Sequence, residues 1–325
     1  MTAKNLLKAR FNALPKPMRD LIRMSVIPPL RAYVRHFPVR PGKQLLWDHV
    51  ISHLWWMEGN VLASTPFDYS LQANANDIVG RYIYYFGVWE PNLTYWIKNR
   101  LRAEDVFVDV GANIGYFSLL ASKCVGALGR VVAVEALPQT ARILEENLLL
   151  NRTQNVRIAN AAAWDQDGEV ELFTSVAGPV GTTTVSPEWA SQWALGDRFK
   201  VPAKPLYEIL SIEEIRRARL IKIDVEGAEW QVVSGMEKIF NELRPDVEII
   251  LEVAPKILES NGNSCADLLN KFTKWGFFAY RIINDYSADA YLSRINYARP
   301  ARIETIPTTT DQVDIVFSRL DSWAL

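Results

Sequence analysis

From Asp105 to the C-terminus, hydrophobic and polar positions along this 325-residue chain follow two alternating patterns. Short runs that are apolar at almost every position predict buried strands: VFVDV, VVAVEA, VRIANAAA, EVELF, LIKIDV and VEIILEV. Segments with apolar residues three and four positions apart predict helices: YFSLLASKC, TARILEENLLLN, AEWQVVSGMEKIFNEL and SCADLLNKFTKWG. Strands and helices that alternate in this way predict an α/β fold with a doubly wound, mostly parallel sheet covered on both faces.

The last two apolar runs of the chain, FFAYRII and VDIVFSRL, predict two further strands. No clear crossover helix lies between them, and parallel neighbours need such a crossover. We therefore expect these strands to form an antiparallel pair that supplies an antiparallel edge strand to the sheet.

The chain before Asp105 has a different pattern. Residues 1–65 predict a basic helical extension interrupted by prolines, residues 66–104 an aromatic-rich helical lead-in, and residues 105–325 the main domain. The segments AKNLLKARFNAL and MRDLIRMSVI place cations between apolar residues at helical spacing. The favoured interpretation is that these helices pack on the main domain with their cations in water. The alternative is an amphipathic segment that binds an anionic membrane surface or a partner.

Composition argues against several classes of protein. A formal net charge of -1 argues against a dedicated nucleic-acid binder. No apolar run reaches the roughly 18 residues of a membrane span, and the N-terminal apolar stretches, cut by Lys, Arg and Pro, predict no signal peptide. Two distant cysteines, Cys124 and Cys265, are expected to be reduced thiols in the cytoplasm. All three histidines precede Leu54, so a zinc site is not expected.

The segment VFVDVGANIGYFSLL joins a predicted strand to a predicted helix through a glycine turn. Dinucleotide-binding turns need a glycine where this chain has Asn113, because the backbone must approach the pyrophosphate. The carboxylate of Asp109 would also repel a phosphate. Both residues favour a cationic ligand without phosphates, S-adenosylmethionine, over the alternative of a nicotinamide cofactor and an oxidoreductase.

Two later strand ends extend this predicted cofactor site. Glu135 ends the second strand, where a carboxylate can accept hydrogen bonds from both ribose hydroxyls. The segment AAAWDQDG ends the third strand with Ala163, Trp164 and Asp165, which could flank an adenine ring. The alternative for this segment is an ordinary turn, since Asp-Gln-Asp-Gly is turn-prone.

The segment LIKIDVEGAEWQVVSG concentrates acids at the end of an apolar strand. Strand alternation places Lys222 and Asp224 on one face and predicts a buried ion pair. The next strand ends at Glu252, which we expect beside Asp224. Helix-N-terminal charge is an alternative explanation for Glu226 and Glu229, but it suits Asp224 and Glu252 less well because they end apolar strands.

Together, VDVGANIGYFS, Glu135, AAAWDQDG and IKIDVEGAEWQVVSG resemble the FkbM family of S-adenosylmethionine-dependent methyltransferases, over residues 80 to 255. The resemblance implies a Rossmann-like class I methyltransferase sheet of seven strands with a reversed last strand. It also implies methylation of hydroxyl oxygens of sugars or natural products. The residues that it assigns to the methionine end of the cofactor are Asp109, Gly111, Asn113, Gly115 and Tyr116.

Two further features follow from the resemblance. YYFGVWEP is similar to an aromatic–Gly–aromatic–Glu–Pro segment of the family, which makes Glu90 a candidate cofactor or active-site contact. KPLYEIL departs from the family pattern, because Tyr207 replaces an acid that commonly precedes the Asp-Val-Glu-Gly-Ala-Glu motif. The acceptor specificity of the family therefore does not transfer directly to this chain.

The sequence thus predicts an O-methyltransferase with a carboxylate as its general base, because no histidine lies in the catalytic half. Asp224 is the first candidate, followed by Glu252 or Glu226. In the alternative, Asp224 and Glu252 bind a divalent cation that orients the hydroxyl. The expected partner is a sugar-containing acceptor, lipid-linked if the basic N-terminus binds the inner membrane surface, and the oligomeric state is left open. A non-catalytic cofactor-binding module is the remaining rival.

Overall fold

The computed structural model describes residues 10–36, 40–51, 59–175, 183–192, 194–292, 298–308 and 312–325. The chain divides into two compact units. The smaller one comprises Met1–Asp68, Gln72–Trp89 and Asp285–Asn296, and the larger one Tyr69–Leu71, Glu90–Asn284 and Tyr297–Leu325. Residues 3–9 of the predicted helix AKNLLKARFNAL lie outside the described residues.

The smaller unit is mainly helical. Its helices before Glu90 are α1 (Lys16–His36), α2 (Arg40–Leu46), which continues as a π-helical turn at Trp47–Ile51, and α3 (Ile78–Phe86). The strands β1 (Asn60–Ser64) and β2 (Ser70–Asn74) form a two-stranded sheet. No helix in the described ranges is long and apolar enough to span a membrane.

Two arginines of α1 donate hydrogen bonds to backbone carbonyl oxygens at the C-terminal end of α3. Arg31 Nε donates to the carbonyl oxygen of Tyr84 at 2.7 Å, and Arg35 Nη2 donates to the carbonyl oxygens of Ile83 and Tyr84 at 2.8 Å. The last carbonyls of a helix lack intrahelical partners, so these guanidinium groups hold α1 against α3. Ile27 and Val34 are buried in α1.

The larger unit carries the predicted alternation of strands and helices. Its elements up to the second sheet are α4 (Pro91–Arg100), β3 (Val106–Val110), α5 (Tyr116–Val125), β4 (Arg130–Val134), α6 (Pro138–Leu150), β5 (Val156–Ala159), β6 (Ala162–Ala163), β7 (Gly168–Thr174), β8 (Thr183–Thr184), α7 (Pro187–Gln192) and β9 (Asp197–Lys204). The elements that follow are α8 (Leu206–Ile209), α9 (Ile212–Arg217), β10 (Ala218–Ile223), α10 (Glu229–Gly235), β11 (Glu248–Val253), α11 (Pro255–Ser260), α12 (Cys265–Lys274), β12 (Phe278–Ile282), β13 (Ala301–Ile303) and β14 (Val313–Ser318). A short helix of the smaller unit, α13 (Ala288–Leu292), lies between β12 and β13 in sequence.

The main sheet has eight strands in the order β13-β12-β14-β11-β10-β3-β4-β5. Strands β11, β10, β3, β4 and β5 are parallel neighbours, and β14 runs antiparallel to both β11 and β12. This arrangement confirms the doubly wound α/β fold and the reversed last strand, and it adds an eighth strand to the seven expected.

The reversed strand lies inside the sheet instead of at its rim. All six residues of β14 are buried, and β11 and β12 pair with it on its two sides. The antiparallel edge strand is β13, which has only three residues and was not predicted. Its short length suits an edge position, since short edge strands limit unwanted pairing.

Other predicted elements belong to a second sheet of order β6-β9-β7-β8. VRIANAAA divides between β5 in the main sheet and β6 in the second one, and EVELF forms β7. Long stretches of β7 and β9 are exposed, so these strands lack the continuous apolar runs of the main sheet. The predicted helix AEWQVVSGMEKIFNEL is shorter than expected, because α10 ends at Gly235 and turns follow.

Candidate active site

The turn between β3 and α5 lies so close to the end of β10 that it requires glycine. Gly111 has a φ of 80°, and a Cβ at this position would lie 1.7 Å from the carbonyl oxygen of Asp224. Gly115 has a φ of 93°, and a Cβ there would lie 2.4 Å from Leu144 Cδ1. Glycine adopts left-handed backbone without strain. Gly111 therefore allows the turn to approach the carboxyl end of β10, and Gly115 allows it to approach Leu144 of α6.

Asp109, one residue before the end of β3, is a buried carboxylate with one unused oxygen. Its Oδ2 accepts a hydrogen bond of 2.6 Å from Ser118 Oγ, whereas Oδ1 has no hydrogen-bond partner. Burial raises the pKa of Asp109, although the cation of Lys222 on the neighbouring strand lowers it. A buried acceptor without a donor fits a ligand that brings its own cationic N–H groups.

Glu135 follows β4 and is connected to the glycine turn. One oxygen of the carboxylate accepts from the backbone N–H of Asn113 and the other from the N–H of Leu137, both at 2.9 Å. Burial raises the pKa of Glu135 to about 7, against the lowering effect of these two donors. A carboxylate has about four acceptor sites, so Glu135 can still accept hydrogen bonds from two ribose hydroxyls.

Asn113 adopts left-handed backbone in this turn, with a φ of 49°. Its side-chain oxygen accepts a 2.8 Å hydrogen bond from the backbone N–H of Ile114. Asparagine tolerates this conformation because its short polar side chain can bond locally. Asn113 thus holds, at the position of the second glycine of a dinucleotide turn, a left-handed conformation that its own side chain stabilises.

Three carboxylates meet where β10 and β11 end. Oxygen atoms of Asp224, Glu226 and Glu252 all lie within 4.8 Å of one another. Lys222 Nζ is buried and pairs with Asp224 Oδ2 at 2.8 Å. The structure confirms the predicted Lys222–Asp224 ion pair and the predicted proximity of Asp224 to Glu252.

The acids of the cluster outnumber the cation of Lys222, which pairs with Asp224. Burial would lower the pKa of Lys222, but the carboxylates of Asp224, Asp109 and Glu90 raise it. Burial would raise the pKa of Asp224, but Lys222 and a hydrogen bond from Glu252 lower it. Asp224 is therefore the ionised carboxylate of the cluster.

The other two acids differ from Asp224. Burial and the negative charge of Asp224 raise the pKa of Glu226 and of Glu252 well above the usual range of glutamate. Like charges at such short distances disfavour joint ionisation. The cluster consequently combines one ionised carboxylate with two carboxyl groups that tend to keep their protons.

Gln312 connects the two glutamates of the cluster. Its Nε2 donates to Glu226 Oε2 at 2.9 Å and to Glu252 Oε2 at 3.2 Å. Gln312 precedes β14, and Asp314 of that strand is paired in register with Glu252. Both residues lie some sixty positions or more from Glu226 and Glu252 in the chain, so sequence spacing gave no signal for them.

The loop that carries Glu226 is held from two directions. Glu226 has a φ of 50°, and Thr184 Oγ1 of β8 donates to its carbonyl oxygen at 2.5 Å. Glu229 Oε1 accepts from the backbone N–H of Gly227 at 2.8 Å. The sequence did not indicate Thr184, because its role depends on the second sheet.

Comparison with known proteins decides the family of the chain. The family described as "Methyltransferase FkbM domain" matches residues 109–279, which include the glycine turn and the acid cluster. The chain belongs to the FkbM methyltransferase family. It is an S-adenosylmethionine-dependent methyltransferase.

Individual relatives are distant. The chain is 24% identical over 184 residues to Methyltransferase 1 of Beauveria bassiana, covering 50% of this chain and 74% of that protein. It is 26% identical over 198 residues to Methyltransferase sdnD of Sordaria araneosa, covering 49% and 75%. Among solved structures, a methyltransferase FkbM from Methylobacillus flagellatus KT aligns with a TM-score of 0.45 and 15% identity, over 74% of this chain and 52% of that chain.

The turn of this FkbM methyltransferase fits the chemistry of its cofactor. The free oxygen of Asp109 suits the ammonium at the methionine end, and Glu135 suits the ribose. Glycine at positions 111 and 115 allows close approach of the backbone. When bound, S-adenosylmethionine supplies a methyl group on a cationic sulfonium.

Two predicted cofactor contacts are buried side chains. Tyr116, the first residue of α5, accepts a 3.2 Å hydrogen bond from Thr94 Oγ1 and meets the ring of Tyr69 edge-on at 6.0 Å. Glu90 precedes α4 in left-handed backbone with a φ of 40°. The charge of Glu90 acts on Lys222, so Glu90 belongs to the electrostatics of the acid cluster. The cofactor roles of both residues stay predictions.

The predicted adenine residues have different environments. Ala163 is buried in β6, Trp164 is half-buried and packs against the core of the second sheet, and Asp165 is exposed. Tyr207, which replaces the expected family acid, lies in α8, and its hydroxyl accepts a 3.0 Å hydrogen bond from Lys238 Nζ. The adenine contacts also stay predictions.

Proposed function

We propose that this methyltransferase methylates a hydroxyl oxygen of a sugar in a glycan, glycolipid or glycosylated metabolite. The observation that carries this proposal is the cluster of Asp224, Glu226 and Glu252 at the ends of β10 and β11, with Asp224 paired to the buried cation of Lys222. A sugar hydroxyl is weakly acidic and gains from a base as the methyl group is transferred. The chain's three histidines all lie between residues 36 and 53, so a carboxylate is the natural base of the larger unit.

In this proposal Asp224 accepts the proton of the acceptor hydroxyl while the new oxygen–carbon bond forms. Lys222 keeps Asp224 ionised, which makes the base available but weak. We therefore expect a contribution near the lower end of general-base catalysis, about 10²-fold. Positioning of the acceptor oxygen in line with the methyl carbon contributes the larger part of the acceleration.

A second arrangement uses the same carboxylates to hold a divalent cation that orients the hydroxyl. The close spacing of Asp224, Glu226 and Glu252 favours it, since Mg²⁺ prefers oxygen ligands of this kind. Chelation followed by titration with Mg²⁺ or Mn²⁺ distinguishes the two arrangements. Activity that survives chelation supports the base alone, and activity restored by metal supports the cation.

Methyl transfer to a panel of sugar acceptors tests the proposed function. We expect transfer by the wild-type protein and a loss of about 10²-fold in kcat for Asp224→Asn, with binding of S-adenosylmethionine retained in calorimetry. Cofactor binding without transfer to any hydroxylated acceptor would instead support a non-catalytic module. Transfer unchanged by Asp224→Asn would reject Asp224 as the base.

We also propose that the protein works in the cytoplasm. Cys124 is a half-buried free thiol and Cys265 a buried one. Free thiols in a folded protein are typical of reducing compartments. Fractionation of cells that express the full chain tests this location.

A further inference from the structure

Helix α1 exposes an uncharged face. Among its described side chains from Pro17 to Ala32, every exposed one lacks a charge. The largest apolar side chains of this face are Met18, Leu21 and Met24, which are 51%, 66% and 75% exposed. The complete set is Pro17, Met18, Leu21, Met24, Ser25, Pro28, Pro29 and Ala32.

These positions form one continuous stripe. Each lies three or four residues from another member of the set, which places them on one side of a helix. The stripe extends over fifteen residue steps, from position 17 to position 32, and an α-helix rises about 1.5 Å per residue, so it is roughly 22 Å long. We call it the α1 face.

Two arginines of α1 turn toward α3 and away from the exposed face. Arg31 and Arg35 donate to backbone carbonyls at the end of α3, and Arg19 is half-buried. Ordinary surface helices turn their apolar residues inward and their charges to water. Here Arg31 and Arg35 serve internal packing, while the apolar residues of the exposed face point outward.

We propose that the α1 face binds the surface of an anionic lipid bilayer. Interfacial helices lie in the plane of a membrane surface with their apolar face among the acyl chains, and Met18, Leu21 and Met24 supply such a face. Lys16 at the start of α1 and Arg10 before it are exposed. From Met1 to Lys43 the sequence contains ten Lys or Arg and one acid, Asp20. The whole chain, in contrast, has a formal net charge of -1. This basic region complements anionic headgroups.

The size of the α1 face argues against a second copy of the chain as its occupant. A stripe about 22 Å long and roughly 10 Å wide covers only about 220 Å². A stable protein–protein interface buries about 800 Å² on each partner. A planar lipid surface needs no shape complementarity beyond a single helix face.

Co-sedimentation of the full chain with vesicles tests the proposal. We expect binding to phosphatidylcholine vesicles that contain phosphatidylglycerol, and weaker binding to phosphatidylcholine alone or at high ionic strength. The variant Met18→Glu/Leu21→Glu/Met24→Glu should bind at least about tenfold more weakly than the wild type. Met18→Leu/Met24→Leu should bind like the wild type.

A matched control separates the α1 face from a general effect of charge. Leu128, Leu149 and Ile212 of the larger unit are 75%, 72% and 51% exposed, so Leu128→Glu/Leu149→Glu/Ile212→Glu makes the same chemical change elsewhere. We expect this control variant to bind like the wild type. Equal loss in both triple variants, no loss in either, or no wild-type binding would overturn the proposal. A solution dimer that the α1 variant dissociates would also overturn it, in favour of a second copy.

Discussion

At the scale of single residues, Gln312 shows how one amide organises the acid cluster. It donates from one nitrogen to both Glu226 and Glu252. Gln312→Leu leaves two buried carboxyl groups without this donor, which costs about 1–3 kcal/mol. We expect kcat to fall roughly tenfold, with little change in the KM for S-adenosylmethionine.

The pH profile separates this effect from a loss of folding. A donor stabilises the ionised form of a carboxyl group, so its removal should raise the pKa of Glu226 and Glu252 further. The pH–rate profile of Gln312→Leu should shift toward higher pH. Gln154→Leu, at an exposed position, is the control and should keep the wild-type profile. An unchanged profile and rate for Gln312→Leu would contradict the role given to Gln312.

Thr184 positions Glu226 through its backbone. Its hydroxyl donates to the carbonyl oxygen of Glu226 and accepts from the N–H of Ser186 at 3.0 Å. Thr184→Val keeps the shape and removes both hydrogen bonds, so we expect kcat to fall about tenfold. Thr184→Ser keeps the hydroxyl and should restore the rate. Steady-state kinetics with Thr183→Val as the neighbouring control checks this, and equal activity of the Val and Ser variants at position 184 would disprove it.

At the scale of elements, the glycine turn depends on the closeness of β3 and β10. Gly111→Ala would place a Cβ 1.7 Å from the carbonyl oxygen of Asp224 in left-handed backbone. We expect a loss of at least about 3 kcal/mol in the free energy of unfolding, because the strain and the clash add. Urea unfolding measures it. Gly168→Ala, with nothing within 4 Å of the added Cβ, should stay within about 0.5 kcal/mol of the wild type.

The elements that could be predicted from sequence are those whose burial is complete. VFVDV and VEIILEV are buried at every position of β3 and β11, and their continuous apolar runs reveal this directly. β9 alternates exposed and buried residues over only part of its length, so no clear pattern marks it. The position of β14 between β11 and β12 depends on the strand order, which no local pattern contains.

The same distinction applies to the site. Asp109, Asp224 and Glu252 could be predicted because parallel strands bring their carboxyl ends to one edge of the sheet. Gln312 and Thr184 reach the cluster from a reversed strand and from a second sheet. Their proximity is a property of topology, and the short polar segments around them resemble ordinary loops.

At the scale of the whole molecule, buried acids of the larger unit link folding to pH. Burial raises the pKa of Glu135 and of Glu229 to about 7, and that of Asp314 to about 6, from ordinary values of 4.5, 4.5 and 3.8. At a pH between the ordinary pKa and the raised pKa of each group, the folded chain keeps a proton that the unfolded chain has released. The stability that protonation contributes is complete below about pH 4 and is lost as the pH rises to 7.

We therefore expect the free energy of unfolding to decrease from pH 5 to pH 7, by up to about 1.4 kcal/mol per pH unit for each such group. The lowered pKa of Asp224 makes the free energy of unfolding rise with pH instead, but only below about pH 3.8, the ordinary pKa of an aspartate. Urea unfolding of the full chain at several pH values measures this slope. Glu229→Gln keeps an acceptor for the N–H of Gly227 and removes one titrating group, so its slope should be shallower than that of the wild type. Glu145→Gln, at an exposed position of α6, should keep the wild-type slope. A wild-type stability that is constant or rises over this range would contradict the assignment of protons to these buried acids.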